Sequence, residues 1–173
     1  LRVECISYLF LRTHGNSHFC SWIKFLYLQT IIFSYMKILF LTLNTFDKHG
    51  GIQTFNKYFM KALDANEYSW KMISLHDISG SVANKIYCCG SNLIKFVLRL
   101  IKLAEQDTII VWNHISIGVL AIYLNPLLRN KRNILITYGT EVWRYDLAPR
   151  KKKTLSYFNE IWTISNYTKK KLV

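Results

Sequence analysis

The chain has 173 residues, 51% of them hydrophobic and 15% aromatic, which excludes a disordered protein and predicts either one domain with a buried core or a piece of a larger protein. Its 23 lysine and arginine residues outnumber 10 acidic ones, and the formal net charge of +13 favours an anionic partner such as phosphate, a membrane surface or nucleic acid. The four cysteines show neither CxxC spacing nor a histidine at zinc-site spacing, so no metal centre is predicted.

Residues 1–35 differ in character from the rest of the chain. The apolar run Phe25–Tyr35 is bracketed by lysines and is about half as long as the roughly 20 residues that a membrane-spanning helix needs. No small-residue cleavage site follows, as a signal peptide would require, and Met36 resembles the natural start of a cytosolic protein. We therefore predict an N-terminal extension over residues 1–35, not native to the protein, that packs poorly against or apart from a main domain over residues 36–173. The alternative is a membrane-associating segment.

The main domain opens with a predicted strand, a glycine loop and a helix. Lys37–Leu43 is an almost uninterrupted apolar run, which is typical of a strand buried on both faces of a parallel sheet. Gly50 and Gly51 follow, and their missing side chains let backbone N–H groups approach a phosphate at a helix N-terminus. The helix is indicated by apolar residues at helical spacing: Ile52, Phe55, Phe59 and Leu63.

Strands and helices continue to alternate along the chain. His76–Gly90 is predicted to be irregular, and a helix is predicted to begin at Asn166. The alternation predicts an α/β fold, a doubly wound, Rossmann-like parallel sheet with helices on both faces and strand order 3-2-1-4-5-6. The further predicted strands are Tyr68–Leu75, Thr108–Trp112, Asn133–Tyr138 and Glu160–Ile164, and the further helices are Leu93–Leu103, Ile115–Leu124 and Lys151–Tyr157.

Polar or glycine-containing segments follow four of the predicted strands. In a parallel sheet the carboxyl ends of the strands lie at one edge, so these segments would line one cleft. Each segment alone is more often a turn or a helix cap, but their joint occurrence favours a cleft. The segments are Lys48–Gly51, Asn113-His114, Tyr138–Glu141 and Ser165-Asn166, and the candidate binding residues are Gly50, Gly51, Asn113, His114, Tyr138, Gly139, Thr140 and Glu141.

Several common enzyme motifs are missing from the sequence. No G-x-x-x-x-G-K-[ST] loop and no G-x-G-x-x-G fingerprint is present, which weighs against a nucleoside triphosphatase and an NAD-dependent dehydrogenase. No G-x-S-x-G elbow is present to support a serine hydrolase.

Four stretches of the chain resemble a known family. They are MKILFLTLN…HGGIQTFNKYFMKAL, DTIIVWNH, ITYGTEVW and EIWTISNYTKKKL. Their order and spacing over about residues 36–173 resemble the N-terminal domain of family 4 glycosyltransferases, which have the two-domain GT-B fold. Each motif is weak alone, and the four together are fairly specific.

The resemblance implies roles for the candidate residues. Gly50 and Gly51 would approach the phosphate or the sugar of the donor, and the segment Tyr138–Glu141 would face the donor sugar, with Tyr138 in place of the family's common histidine. Asn113 and His114 would lie towards the acceptor. The family's second domain supplies the basic pair and the E-x7-E glutamates, so the resemblance implies an incomplete GT-B N-terminal domain that is inactive alone. No catalytic residue is assigned.

The function implied by the resemblance is transfer of a sugar, with retention, from a nucleotide-sugar donor to a glycan or lipid-linked acceptor in cell-envelope polysaccharide synthesis. No metal or other cofactor is expected, and the location implied is cytoplasmic, with peripheral contact at the inner face of the membrane. The basic run Arg150–Lys153, beside apolar helix residues, predicts weak, salt-sensitive binding to anionic lipid.

Two alternatives come from other functional classes. One is a basic, non-catalytic binding module for nucleic acid or an anionic membrane. Most aromatic residues lie within apolar periodic stretches, so a nucleic-acid partner is not expected. The other is a membrane-anchored, non-catalytic protein that uses residues 19–35.

Overall fold

A computed structural model describes residues 2–5, 37–78, 84–143 and 149–172. They form one seven-stranded sheet in which every neighbouring pair of strands is parallel. The strands are β1 (Arg2–Cys5), β2 (Lys37–Thr42), β3 (Ser69–Ser74), β4 (Ile86–Cys88), β5 (Thr108–Trp112), β6 (Arg132–Thr137) and β7 (Glu160–Thr163).

The strand order of the sheet is β1-β7-β6-β5-β2-β3-β4. Numbered from β2, the six strands that follow residue 36 have the predicted order 3-2-1-4-5-6, although the third of them, β4, is not among the strands assigned from the sequence. The order reverses between β2 and β5, because the chain builds outward from β2 to β4 and then crosses back to β5. Open α/β sheets bind ligands at such a reversal.

The central strand β2 is buried on both of its faces, as its apolar run predicts. Ile38 and Phe40 point into one core cluster, and Leu39 and Leu41 point into the other. None of these four side chains is more than 8% exposed. A two-sided core requires cover on both faces of the sheet.

Helices supply that cover on both faces, as predicted. Helix α1 packs on one face through Met60 and Leu63, and α2 packs on the other through Phe96 and Leu100. The helices are α1 (Gly51–Ala65), α2 (Leu93–Leu103), α3 (Ile115–Gly118), α4 (Leu120–Leu128), α5 (Thr140–Trp143), α6 (Pro149–Leu155) and α7 (Asn166–Leu172).

Strand β4 lies within a segment that the sequence predicts to be irregular, and that prediction is wrong. Ile86–Cys88 pairs with Met72–Ser74 at one edge of the sheet. Three residues are too few for a period-two pattern to be recognised, so β4 depends on its pairing with β3 rather than on a local signal.

The predicted helix Ile115–Leu124 is also wrong in its extent, because two helices, α3 and α4, occupy this region. At the end of α3, a Cβ on Gly118 would lie 3.2 Å from side-chain atoms of Leu135 and Phe158, so the backbone approaches the core closely there. Helix α4 then passes through Pro126 and ends at Leu128, whose side chain is buried and packs in the core.

The predicted separation of residues 1–35 from the sheet is wrong for residues 2–5. These residues form β1, which pairs in parallel with Glu160–Thr163 at the outer edge of the sheet. The apolar run Phe25–Tyr35 lies outside the described residues. Among the helices that are described, none combines the length and the apolar character that crossing a bilayer requires.

Candidate functional site

The glycine loop lies between the end of β2 and the start of α1. Gly50 is the residue before the helix, with an extended φ of 167°, and its carbonyl accepts a hydrogen bond from the Thr54 N–H at 3.0 Å. Gly51 is exposed, and a Cβ there would have none of the described atoms within 4 Å. Its φ also lies outside the left-handed region, so a side chain at Gly51 would not strain the backbone. The space around Gly51 is open to a ligand.

A buried carboxylate shapes the loop that leads to these glycines. Asp77, which follows β3 and is 0% exposed, accepts hydrogen bonds from three successive backbone N–H groups. The donors are Thr45 at 2.7 Å, Phe46 at 3.1 Å and Asp47 at 3.0 Å. The Ser74 hydroxyl donates a fourth hydrogen bond to it, at 2.7 Å. Charge-assisted hydrogen bonds of this kind are among the stronger ones in proteins, so Asp77 holds the start of the loop in one conformation.

A network of buried polar side chains joins the ends of three strands to α1. The amide nitrogen of Asn56, on α1, lies 2.8 Å from the Thr42 hydroxyl and 2.9 Å from the Thr45 hydroxyl. The Asn56 amide oxygen accepts a hydrogen bond from the amide of Asn113, and the Asn113 amide oxygen accepts one from the phenol of Tyr138. Satisfied buried networks of this kind specify one arrangement of the elements that they join.

Asn113 belongs to the interior of this network. Its side chain is 1% exposed, and its amide contacts Asn56 and Tyr138. A ligand would reach Asn113 only after the surrounding side chains had moved. The predicted role of Asn113 in binding therefore depends on an opening of the network.

Tyr138 follows β6 and lies against the first turns of α1. Its ring makes an edge contact with the ring of Phe55, with 5.6 Å between the centroids. Burial raises the pKa of the Tyr138 phenol well above its usual value of about 10, and the carboxylate of Glu141 acts in the same direction. The phenol is therefore a neutral hydrogen-bond donor at physiological pH.

The residues after Tyr138 form a tight turn into α5, which begins at Thr140. The Glu141 carboxylate accepts hydrogen bonds from the backbone N–H groups of Tyr138 and Gly139, the latter at 2.9 Å. A Cβ on Gly139 would lie 2.7 Å from the Trp143 ring, so this position requires glycine for packing. In this conformation the Glu141 carboxylate stabilises the turn.

His114 lies at the end of β5, next to β2 in the sheet. Its side chain is half-buried, and its Nδ1 accepts a hydrogen bond from the Ser116 N–H at 3.0 Å, which caps α3. An accepting Nδ1 places the proton of the neutral ring on Nε2. The observed role of His114 is a helix cap.

The sheet thus brings the segments after β2, β5 and β6 to one edge, and the contacts of Phe55 and Asn56 connect them. Two surface grooves lie elsewhere: one of about 410 Å³ along α2, and one of about 630 Å³ beside α6. The candidate residues line neither groove, and ligand binding by them stays a prediction. In the described part of the chain, no group of three or more histidine, cysteine, aspartate or glutamate side chains is arranged to hold a metal ion.

Sequence reasoning missed the buried polar residues that organise this edge, and one of them had a usable signal. Asn56 lies four residues after Ile52 and four before Met60, so it is a polar residue on the inward stripe of α1. A polar residue in such a position is expected to find a hydrogen-bond partner in the core. Asp77, by contrast, lies in a polar segment where nothing in the sequence distinguishes it.

Comparison of the chain with protein-family models, with curated proteins and with solved structures found no match. What is observed is an α/β fold with an all-parallel sheet.

Proposed function

We propose that the chain forms the acceptor-side domain of a retaining glycosyltransferase that uses a nucleotide-sugar donor. The observation that carries the proposal is the position of the Gly50-Gly51 loop. It joins the strand at which the sheet order reverses to the N-terminus of a helix of 15 residues. Ligands of open α/β sheets bind in this crevice, beyond the carboxyl ends of the strands.

The start of α1 is suited to an anionic group. Aligned peptide dipoles place a partial positive charge at a helix N-terminus, and the backbone N–H groups of the first turn point towards a ligand there. Gly50 has no side chain with which to cap them, and the first turn contains no acidic residue. Lys48 and His49 are exposed just before it. These features suit the phosphate of a sugar nucleotide.

The neighbouring segments suit the two sugars of a transfer reaction. Tyr138 supplies a neutral phenol near α1, where it would donate to a hydroxyl of the donor sugar after exchanging its hydrogen bond with Asn113. His114, which follows the neighbouring strand β5, would lie towards the acceptor. Transfer also needs positive charge at the leaving diphosphate, which the resemblance assigns to a second domain. The role of the observed domain is therefore to position the reactants.

The proposal is tested by titrating the purified chain with a panel of uridine, guanosine and adenosine diphosphate sugars and measuring equilibrium binding. We expect at least one to bind, and Gly51→Val to weaken that binding by about tenfold or more, because the new side chain occupies the space that the phosphate needs. Thr54→Val is the control, since it places the same valine side chain at an exposed position of the same helix, where threonine is already β-branched and of similar size. Absence of binding, or equal binding by the Gly51 variant, would contradict the proposal.

A further inference from the structure

Helix α2 is apolar on two opposite faces, and only one of them packs in the core. Phe96 and Leu100 are 0% exposed and lie against the sheet. Ile94, Leu98 and Ile101 are 74%, 63% and 43% exposed. Their spacing of four and three residues aligns them along the helix, on the side away from the core. We call these three residues the α2 stripe.

The exposed apolar side chains of the described residues are concentrated in one helical layer. Helices α2 and α4 cover the same face of the sheet, because Phe96 and Ala121 belong to the same core cluster. Of the ten large hydrophobic side chains that the described residues expose, six lie on these two helices: Leu93, Ile94, Leu98, Ile101, Tyr123 and Leu127. Four of the six lie on α2 itself, and several exposed apolar side chains on one helix mark an interaction site, whereas isolated exposed residues are ordinary.

The charge beside the α2 stripe has a single sign. Lys95, Arg99 and Lys102 each follow a stripe residue by one position, so they form a second, basic row along the same helix. Together with Asn92, Ile94 and Leu98 they line the groove of about 410 Å³. Neither α2 nor α4 contains an acidic residue. This combination matches a surface that is both apolar and anionic.

Around Arg150–Lys153, the side chains that the structure describes expose charge, while the large apolar ones are in or against the core. Lys152 and Lys153 of α6 are exposed, but Phe158 is 4% exposed and lies in the core, and Leu155 packs against the core. The apolar residues that motivated the expected lipid binding beside Arg150–Lys153 therefore lie in or against the core, and that binding stays a prediction. The α2 stripe has the exposed apolar residues that this segment lacks.

We infer that α2 docks the protein on an anionic lipid bilayer. The helix lies in the plane of the interface, with the α2 stripe at the boundary of headgroups and acyl chains and with Lys95 and Lys102 among the headgroups. A nucleic acid would meet the charge but would leave the aliphatic side chains in water. This inference is independent of the proposed glycosyl transfer, because it rests on a different surface.

The test is co-sedimentation of the full chain with two kinds of vesicle: phosphatidylcholine alone, and phosphatidylcholine mixed equally with phosphatidylglycerol. The test variant is Ile94→Glu/Leu98→Glu. The matched control is Tyr58→Glu/Ile78→Glu, which replaces two exposed apolar side chains outside α2 with the same change in net charge. A third variant, Lys95→Gln/Lys102→Gln, removes positive charge and keeps the α2 stripe intact. Circular dichroism verifies the fold of each.

We expect the wild type and the matched control to bind the anionic vesicles and not the neutral ones. The partition coefficient of the α2 stripe variant onto anionic vesicles should be lower by about tenfold or more. The lysine variant should also bind more weakly, and it keeps the test decisive if the glutamates disturb folding. Equal losses in the stripe variant and the matched control would show a general charge effect and overturn the inference. The inference would also be overturned if the wild type failed to bind the vesicles, or if the wild type self-associated in a concentration-dependent way and the α2 stripe variant did not.

Discussion

The phenol of Tyr138 donates a hydrogen bond to the amide oxygen of Asn113, and this contact joins the end of β6 to the end of β5. Asn113 in turn donates to Asn56 on α1, which contacts Thr42 at the end of β2. The ends of β2, β5 and β6 are therefore joined through side chains. These contacts hold the edge proposed to bind a ligand in one arrangement.

Tyr138→Phe should destabilise the protein, and the size of the effect should depend on pH. At neutral pH we expect a loss of about 1 to 3 kcal/mol in the free energy of unfolding, because the buried amide oxygen of Asn113 loses its donor. Burial raises the pKa of Tyr138 in the folded state. Above a pH of about 10 the unfolded chain releases this proton while the folded chain keeps it, so the wild type loses about 1.4 kcal/mol per pH unit from this group.

Urea unfolding from about pH 8 to about pH 11 measures both effects. The difference between the wild type and the Phe variant should shrink as the pH rises above about 10. Tyr58→Phe removes the hydroxyl of an exposed tyrosine and controls for general effects of alkaline pH. A difference that stays constant across this range would contradict the buried, neutral phenol.

Asp77→Asn should destabilise the loop that leads to the glycines. The substitution replaces one acceptor oxygen of a buried carboxylate that receives four hydrogen bonds, so we expect a loss of about 2 kcal/mol in the free energy of unfolding. Asp47→Asn is the matched control. Its exposed carboxylate accepts one hydrogen bond, from the Ile78 N–H at 2.7 Å. We expect Asp47→Asn to lower the free energy of unfolding by no more than about 0.5 kcal/mol. Equal losses of stability in the two variants would contradict the conclusion that the buried, hydrogen-bonded carboxylate of Asp77 stabilises the loop.

Thr137→Val should stabilise the protein by about 1 kcal/mol. The Thr137 hydroxyl is buried and has no hydrogen-bond partner among the described residues, so a methyl group of similar size removes a desolvation cost. Its register neighbour on β7, Thr163, is equally buried, and its hydroxyl donates to the Ser165 carbonyl at 3.1 Å. Thr163→Val should therefore cost about 1 kcal/mol. Thermal unfolding of both variants measures the two changes in stability. Changes of the same sign would contradict the conclusion that the Thr137 hydroxyl is unpaired among the described residues while that of Thr163 is hydrogen-bonded.

Strong local patterns account for what the sequence predicted correctly. The run Lys37–Leu43 could be assigned to a strand because it is apolar on both faces, and alternation with helices then determined the direction and order of the sheet through the right-handed crossover rule. The short strand Ile86–Cys88 could not be found, since three residues carry no usable period and their pairing with β3 is a tertiary contact.

The candidate site was predictable in position but not in detail. Strand ends in a parallel sheet must meet at one edge, so Gly51, His114 and Tyr138 could be placed there from the sequence. Which side chains would be buried could not be deduced, because the burial of Asn113 depends on Asn56, which is 57 positions away in the chain. Local patterns do not report such contacts.

Gly51→Ala tests whether this glycine is required for folding, as distinct from ligand binding. The new methyl group would meet none of the described atoms within 4 Å, and alanine lowers the entropy of the unfolded chain, so we expect a gain of about 0.5 kcal/mol in the free energy of unfolding. Gly139→Ala is the structural contrast, because its Cβ would lie 2.7 Å from the Trp143 ring and should destabilise the protein by about 1 to 3 kcal/mol. A destabilised Gly51→Ala variant would mean that this glycine serves the fold.

The most direct test of the proposed function is to map the backbone amide signals of the ¹⁵N-labelled chain by NMR during titration with the sugar nucleotide that binds best. We expect the largest shift changes at the N–H groups of Gly51, Ile52 and Gln53, smaller ones at His114 and Tyr138, and none along α2. Inorganic phosphate should affect only the start of α1, whereas the sugar nucleotide should also affect the ends of β5 and β6. Changes confined to other surfaces, or no changes with any nucleotide sugar, would contradict the account.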